Sequence, residues 1–150
     1  LFQQWHENGT LDTKCIYKNG KIEGLYQEWH ENGQLCEICT YINGSENGLF
    51  QEWYKNGQLR IECTYKNGKI EGLYQSWYEN GQLKTKCIYK NGELEGLFQQ
   101  WHENGQLLWH ECMYKNGEIH IIEMEKWIVK TKQKWIIIKS SPYKKTGLNK

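Results

Sequence analysis

The sequence predicts an all-β protein: an elongated antiparallel β-meander, a single twisted sheet built from 24-residue hairpin repeats. Three observations carry this. Gly9, Gly33, Gly57, Gly81 and Gly105 recur every 24 residues, each four residues after Trp5, Trp29, Trp53, Trp77 or Trp101. Cys15, Cys39, Cys63 and Cys87 form a second ladder, each two residues ahead of Tyr17, Tyr41, Tyr65 or Tyr89. Asn-Gly recurs at 8–9, 19–20, 32–33, 43–44, 56–57, 67–68, 80–81, 91–92, 104–105 and 116–117, spaced alternately by 11 and 13 residues until the last. A period of this size marks units that bury their apolar faces against neighbours. The turn density leaves no room for helices.

Unit two shows the elements in order. Residues 25–30 (Leu-Tyr-Gln-Glu-Trp-His) form a strand, Glu31-Asn32-Gly33 a turn, residues 34–41 a second strand, and Ile42-Asn43-Gly44 a second turn. Asn-Gly tolerates the positive φ of a two-residue type I′ turn, so every doublet is expected to close a tight hairpin. Around Asn8-Gly9 this puts His6 opposite Leu11, Gln4 opposite Thr13 and Phe2 opposite Cys15. Around Asn19-Gly20 it puts Tyr17 opposite Ile22, Cys15 opposite Gly24 and Thr13 opposite Tyr26. Alternation then collects Phe2, Leu11, Cys15, Tyr17, Ile22 and Tyr26 on one face, the expected buried side. Leu25, Gln27 and Trp29 lie on the other, beside Asp12, Lys14 and Lys18. Such pairing advances 22 residues per unit against a repeat of 24, so the sheet either shears by two residues per unit or carries a bulge or longer loop.

The fifth unit holds one extra residue between Gly105 and Tyr114, and a bulge near Leu108–His110 is expected to absorb it. Its closing glycine is replaced by Ile121, so the array ends there. The domain reading is five repeats over residues 1–118, capping strands over 119–139 and a basic disordered tail over 140–150. In the cap, 120–124 and 126–139 read as strands, the second turning near Lys132–Lys134, with Trp127, Val129, Trp135 and Ile137 covering the last open edge.

Charge divides the chain more sharply than its net +1 indicates. Residues 1–125 carry 11 Lys+Arg against 18 Asp+Glu, whereas residues 126–150 carry eight Lys and no acid. Mildly acidic repeats argue against a nucleic-acid surface, which carries a basic stripe. No run approaches the roughly 18 apolar residues of a membrane helix. Leu1 already stands inside a repeat, which reads as a fragment without a leader and predicts self-association at a truncated N-terminal edge.

The segments Gly-Leu-Tyr-Gln-Glu-Trp (24–29), Glu-Asn-Gly-Gln-Leu (31–35) and Tyr-Lys-Asn-Gly-Lys-Ile-Glu-Gly (65–72) resemble the MORN repeat, in its variant form from bacterial antitoxin-like proteins and large DNA viruses. The resemblance covers residues 1 to about 118 in five units. It implies an elongated antiparallel sheet and a non-catalytic scaffold that binds protein partners, acidic phospholipids or itself, and it adds antitoxin-like neutralisation of a toxin as a further role.

Six cysteines raise disulfide and metal chemistry. Equivalent ladder cysteines stand two strands apart, about 9.5 Å, beyond the roughly 7 Å Cα separation a disulfide spans. Cys36 and Cys39 differ by an odd offset, which sends them to opposite faces, and a zinc knuckle needs that spacing on a turn. Structural reduced cysteines, no metal, no cofactor and a reducing cytoplasmic location follow. His6, His30 and His102 share a repeat position with Tyr54 and Tyr78, so that position uses a flat amphipathic ring rather than a proton. Glu7, Glu31, Glu79 and Glu103 read as solvated turn residues. No nucleophile–base pair or phosphate loop appears, and no enzymatic role is expected.

Two binding surfaces remain. Trp5, Trp29, Trp53, Trp77 and Trp101 recur at about 10 Å along one face. They either cover neighbouring strands, at about 0.5–1 kcal/mol per contact, or line a partner groove, since aromatic rings anchor interfaces. Lys126, Trp127, Lys130, Lys132, Lys134 and Trp135 suit an acidic phospholipid surface, where each lysine contributes about 1 kcal/mol, or else an edge-protecting cap. The leading expectation is a scaffold for a protein partner.

Overall fold

The computed structural model describes residues 1–108 and 112–120 and the strands 128–131 and 134–137. Unit one holds β1 (Phe2–Trp5), β2 (Leu11–Cys15) and the short pair β3 (Tyr17–Lys18) and β4 (Lys21–Ile22). Unit two holds β5 (Gly24–Trp29), β6 (Leu35–Ile42) and β7 (Ser45–Glu46); unit three holds β8 (Gly48–Trp53), β9 (Leu59–Lys66) and β10 (Lys69–Ile70). Then come β11 (Gly72–Trp77), β12 (Leu83–Lys90), β13 (Glu93–Gln100), β14 (Cys112–Lys115) and β15 (Glu118–His120). The principal sheet runs β1-β2-β5-β6-β8-β9-β11-β12-β13-β14-β15, antiparallel throughout and open at its ends. It is the all-β meander the turn spacing predicts. A separate hairpin pairs β16 (Ile128–Thr131) with β17 (Lys134–Ile137).

The Asn-Gly doublets form two kinds of turn, not one. Asn19, Asn43, Asn67, Asn91 and Asn116 have φ of 51–53° and precede left-handed glycines, as a type I′ turn requires. Asn8, Asn32, Asn56, Asn80 and Asn104 keep negative φ. There Gly9 N–H donates to His6 O (2.9 Å) and His6 N–H to Thr10 O (2.9 Å), which closes a three-residue loop on a left-handed glycine. The Asn8 side chain accepts the Thr10 N–H at 3.0 Å and holds that loop.

The longer loop moves the register. Phe2 faces Cys15 and Gln4 faces Thr13 as expected, but Trp5, not His6, faces Leu11, and Asp12 becomes the extra residue of a bulge. The same step recurs at Cys36, Arg60 and Lys84. Leu11 therefore shares the face of Trp5 rather than that of Cys15. Asp12 joins the opposite face, where it accepts a hydrogen bond from Gln4.

A second bulge removes the stagger. Tyr17 faces Ile22, yet Thr13 faces Glu28 and Lys14 faces Gln27, two residues beyond simple hairpin pairing. In unit four the step is explicit: Ile88 faces Glu95 and Lys86 faces Gln99, so three residues of β13 oppose Cys87 alone. Gly24, Gly48, Gly72 and Gly96 supply the left-handed backbone this needs, with φ between 76° and 112°. Twenty-four residues now carry the chain to the equivalent place two strands on. In unit five Trp101 faces Leu107 and Phe98 faces Cys112, so the extra residue is absorbed between Leu107 and Cys112. Residues 109–111, Ile121 and the tail after Ser140 lie outside the described residues.

Candidate interaction faces

Because the units superpose at 24 residues, side chains form rows across the strands. On one face Phe2, Tyr26, Phe50 and Tyr74 each stand directly opposite Cys15, Cys39, Cys63 and Cys87, and the backbone of Phe98 pairs with that of Cys112. Each ring also meets a tyrosine edge-on: Phe2–Tyr17, Tyr26–Tyr41, Phe50–Tyr65, Tyr74–Tyr89 and Phe98–Tyr114, at centroid separations of 5.6–5.8 Å. That geometry adds about 0.5–1.5 kcal/mol to burial. A thiol is small enough to sit beneath the rings, and Cys39 is 0% exposed. This one-layer face seals itself.

Sealing makes the thiols inert. Burial pushes Cys39 up to about 11, with Glu46 and Glu37 adding to the shift. Cys63 rises to about 12 and Cys87 to about 11, again chiefly through burial. The five described cysteines are all free. Cys36 does not lie opposite to Cys39, as alternation alone predicted; the bulge turns it toward Glu28, Glu52 and Glu37 on the thiol face. No group of metal-ligating side chains forms among the described residues.

Beside the thiol row runs a polar one: Gln4, Thr13, Glu28, Glu37, Glu52, Ile61, Ser76, Thr85 and Gln100, each directly opposite the next. Three carboxylates thus face one another on β5, β6 and β8. Tyr26 Oη donates to Glu28 at 2.9 Å, and Arg60 pairs with Glu52. Glu37 takes the excess: burial first, then Glu28, Glu52 and Glu46, push its carboxyl up to about 7.

The bulge side chains form a further ladder that sequence reading missed. Asp12 lies 3.7 Å from His6 Nε2, Arg60 lies over the Tyr54 ring at 5.7 Å, and Lys84 lies over the Tyr78 ring at 5.3 Å. A cation accompanies each tyrosine and an anion accompanies His6, a pairing visible in the sequence once the bulge position is known. The rings themselves are structural, as the His/Tyr alternation indicated. His6, His30, Tyr54 and Tyr78 donate to the carbonyls of Trp29, Trp53, Trp77 and Trp101 at 2.8–2.9 Å. Asn8, Asn32, Asn56 and Asn80 donate alongside to Glu31, Lys55, Glu79 and Glu103 carbonyls at 2.7–3.1 Å.

The second face is built differently. Its middle row is Gln3, Lys14, Gln27, Ile38, Gln51, Glu62, Gln75, Lys86 and Gln99. On one side of it the five tryptophans oppose Leu11, Leu35, Leu59, Leu83 and Leu107. On the other, Leu25, Leu49, Leu73 and Leu97 oppose Thr40, Thr64, Ile88 and Met113. Those four leucines remain 38–52% exposed. Trp5, on the edge strand, is 55% exposed, while Trp29, Trp53, Trp77 and Trp101 are half-buried.

Of the predicted lipid-contacting residues, Lys130, Lys134 and Trp135 fall on the β16–β17 hairpin, and Lys126, Trp127 and Lys132 lie outside the described residues. The glutamates Glu7, Glu31, Glu79 and Glu103 are exposed turn residues. Glu23, Glu71 and Glu95 are not merely solvated: each accepts the backbone N–H of the next unit's turn asparagine, at 2.6–3.0 Å.

A family model described as MORN repeat variant matches residues 1–19, 22–43, 46–67, 70–91 and 94–116, more than half of the chain. The matched segments end at the type I′ turns, and the fifth is one residue longer than each of the three before it, where the sheet absorbs its extra residue. No curated protein matches the chain.

Proposed function

Given that the chain belongs to the MORN repeat variant family, we propose that it is a non-catalytic scaffold that takes a protein partner on its Trp–Gln–Leu face. MORN repeats in general act as protein- or membrane-binding scaffolds. The observation that carries the reading is the uncovered leucine row, Leu25, Leu49, Leu73 and Leu97. Contiguous exposed apolar rows rimmed by polar groups mark interaction sites. The tryptophans contribute the flanking row, half-buried against leucines and with ring surface left for a partner. Three charged residues, Lys14, Glu62 and Lys86, interrupt the otherwise uncharged middle row.

The test is partner capture with Leu49→Lys, Leu73→Lys and Trp53→Ala, each checked for retained β-sheet circular dichroism. Loss of the partner with the sheet intact supports the reading. Unchanged capture by both lysine variants rejects it.

A second reading rests on the segregation of charge, with eight lysines and no acid after residue 125. Residues 126–145 then adapt the scaffold to acidic phospholipid. Sedimentation with anionic vesicles, with and without residues 126–150, decides it; full-length protein left in the supernatant rejects it. Among the described residues, nothing in the geometry favours a toxin-neutralising form of the scaffold role.

A further inference from the structure

We propose that the partner of the Trp–Gln–Leu face is a second copy of this chain, packed face to face about a two-fold axis that runs along β11. The inference rests on the scaffold reading of that face and names its occupant. A sheet whose apolar face has no second layer is an incomplete domain, because stable architectures bury such a face against another element. The thiol face needs none, since its rings close over the cysteines. Among the described residues the Leu–Gln–Trp face has no such cover, with leucines at 38–52% exposure.

Symmetry and row order select the occupant. A two-fold axis parallel to the strands reverses strand order but preserves position along each strand. Leucine row therefore meets leucine row, glutamine row meets glutamine row, and tryptophan row meets tryptophan row. Aligned sheet packing of this kind keeps strand directions within about 30°.

Charge then fixes the register. With the axis over β11, β9 lies on the second copy's β12, which places Glu62 against Lys86 twice over. The same axis sets Leu49 against Leu97, Leu73 against its own copy, and Gln75 against its own copy. An axis over β9 would oppose Glu62 to itself. An axis over β6 pairs Lys14 with Glu62 but centres the contact on Thr40 rather than on a leucine.

The area suffices. Nine strands overlap in this register, from β5 to β15, and the inner seven, β6 to β14, form its centre. At about 4.8 Å per strand and about 6.7 Å per row of alternate residues, three rows across those seven present roughly 700 Å² per copy. The total of about 1,400 Å² lies within the 1,200–2,000 Å² of specific interfaces.

The experiment is sedimentation equilibrium of the full chain at micromolar to tens-of-micromolar concentration, with circular dichroism confirming the sheet in every variant. Wild type is expected to be a dimer. Leu73→Glu and Glu62→Lys are expected to weaken it at least tenfold, and Glu62→Lys combined with Lys86→Glu to restore it. Leu73→Gln, a milder change in the same place, serves if Leu73→Glu fails to fold. A monomeric wild type overturns the proposal, and so does a dimer indifferent to Leu73 and Glu62. Rescue by Lys14→Glu instead of Lys86→Glu also overturns it, because the axis would lie over β6. A monomer that still captures a foreign protein through Leu49 and Leu73 removes self-association and leaves the scaffold reading intact. A monomer whose capture ignores those leucines removes both.

Discussion

The two faces of one sheet are made from adjacent residues of the same strands, yet only one of them is finished. On the thiol side, a ring opposite each cysteine and a tyrosine edge against each ring leave Cys39 0% exposed without a second layer. On the other side, leucines of comparable apolarity stay near half exposed. The difference is one of size matching. A thiol is short enough to be roofed by the ring opposite it, whereas the leucines stand opposite Thr40, Thr64, Ile88 and Met113, with no aromatic ring there to close over them. Apolar content alone therefore does not bury a face; alternation of small and large side chains does.

The widest contrast comes from neighbours in sequence. Phe50→Ala removes a ring from the thiol face and should cost about 3 kcal/mol, read by chemical denaturation. Leu49→Ala, one residue earlier on the open face, should change stability by less than about 0.5 kcal/mol when both are read at concentrations low enough to dissociate the dimer. Equal losses at the two positions would mean that both faces are buried in the monomer.

Next in size is the device that keeps both faces aligned. Gly72 has a φ of 86° and nothing within 4 Å of where a Cβ would stand. Gly72→Ala should cost about 1–2 kcal/mol through backbone strain alone, again by denaturation. Smaller still, Tyr54→Phe deletes the 2.9 Å bond to Trp77 O and should cost about 1 kcal/mol.

The last contrast concerns the carboxylate row. Glu37 is raised to about 7, above the ordinary value of 4.5, by burial and then by Glu28, Glu52 and Glu46. The folded state then holds its proton more tightly than the unfolded state, so this group's contribution is favourable below about 4.5 and is lost as pH rises toward 7. Glu37→Gln should flatten stability against pH across that window and raise the melting temperature at pH 8. An unchanged slope would place the charge elsewhere.

The repeat, the two faces and the type I′ half of the turns were legible in the residues, since the Trp, Cys and Asn-Gly ladders share one period. The other turns were not, because Asn-Gly serves both kinds. What marks the three-residue kind is the asparagine side chain, which accepts the N–H of the residue after glycine, as at Thr10 and Gln34. That single difference moved Leu11 and Asp12 across the sheet. The ladder of Asp12, Cys36, Arg60 and Lys84 escaped notice for a different reason. It keeps its place while changing its chemistry, so only its pairing with the His/Tyr position reveals it. For the leucine row, alternation predicted the face but not the exposure, which depends on the height of neighbours across strands.

The side-chain bonds at the three-residue turns all point one way: each ring and asparagine gives its hydrogen to the unit that follows. Every joint is thus a plug entering an identical socket. Duplicating or excising a whole 24-residue module leaves each remaining joint chemically unchanged, while adding or losing one residue forces a local repair such as the one between Leu107 and Cys112. Overall length is therefore a quantity that gene duplication can tune in steps of two strands while keeping these turn bonds.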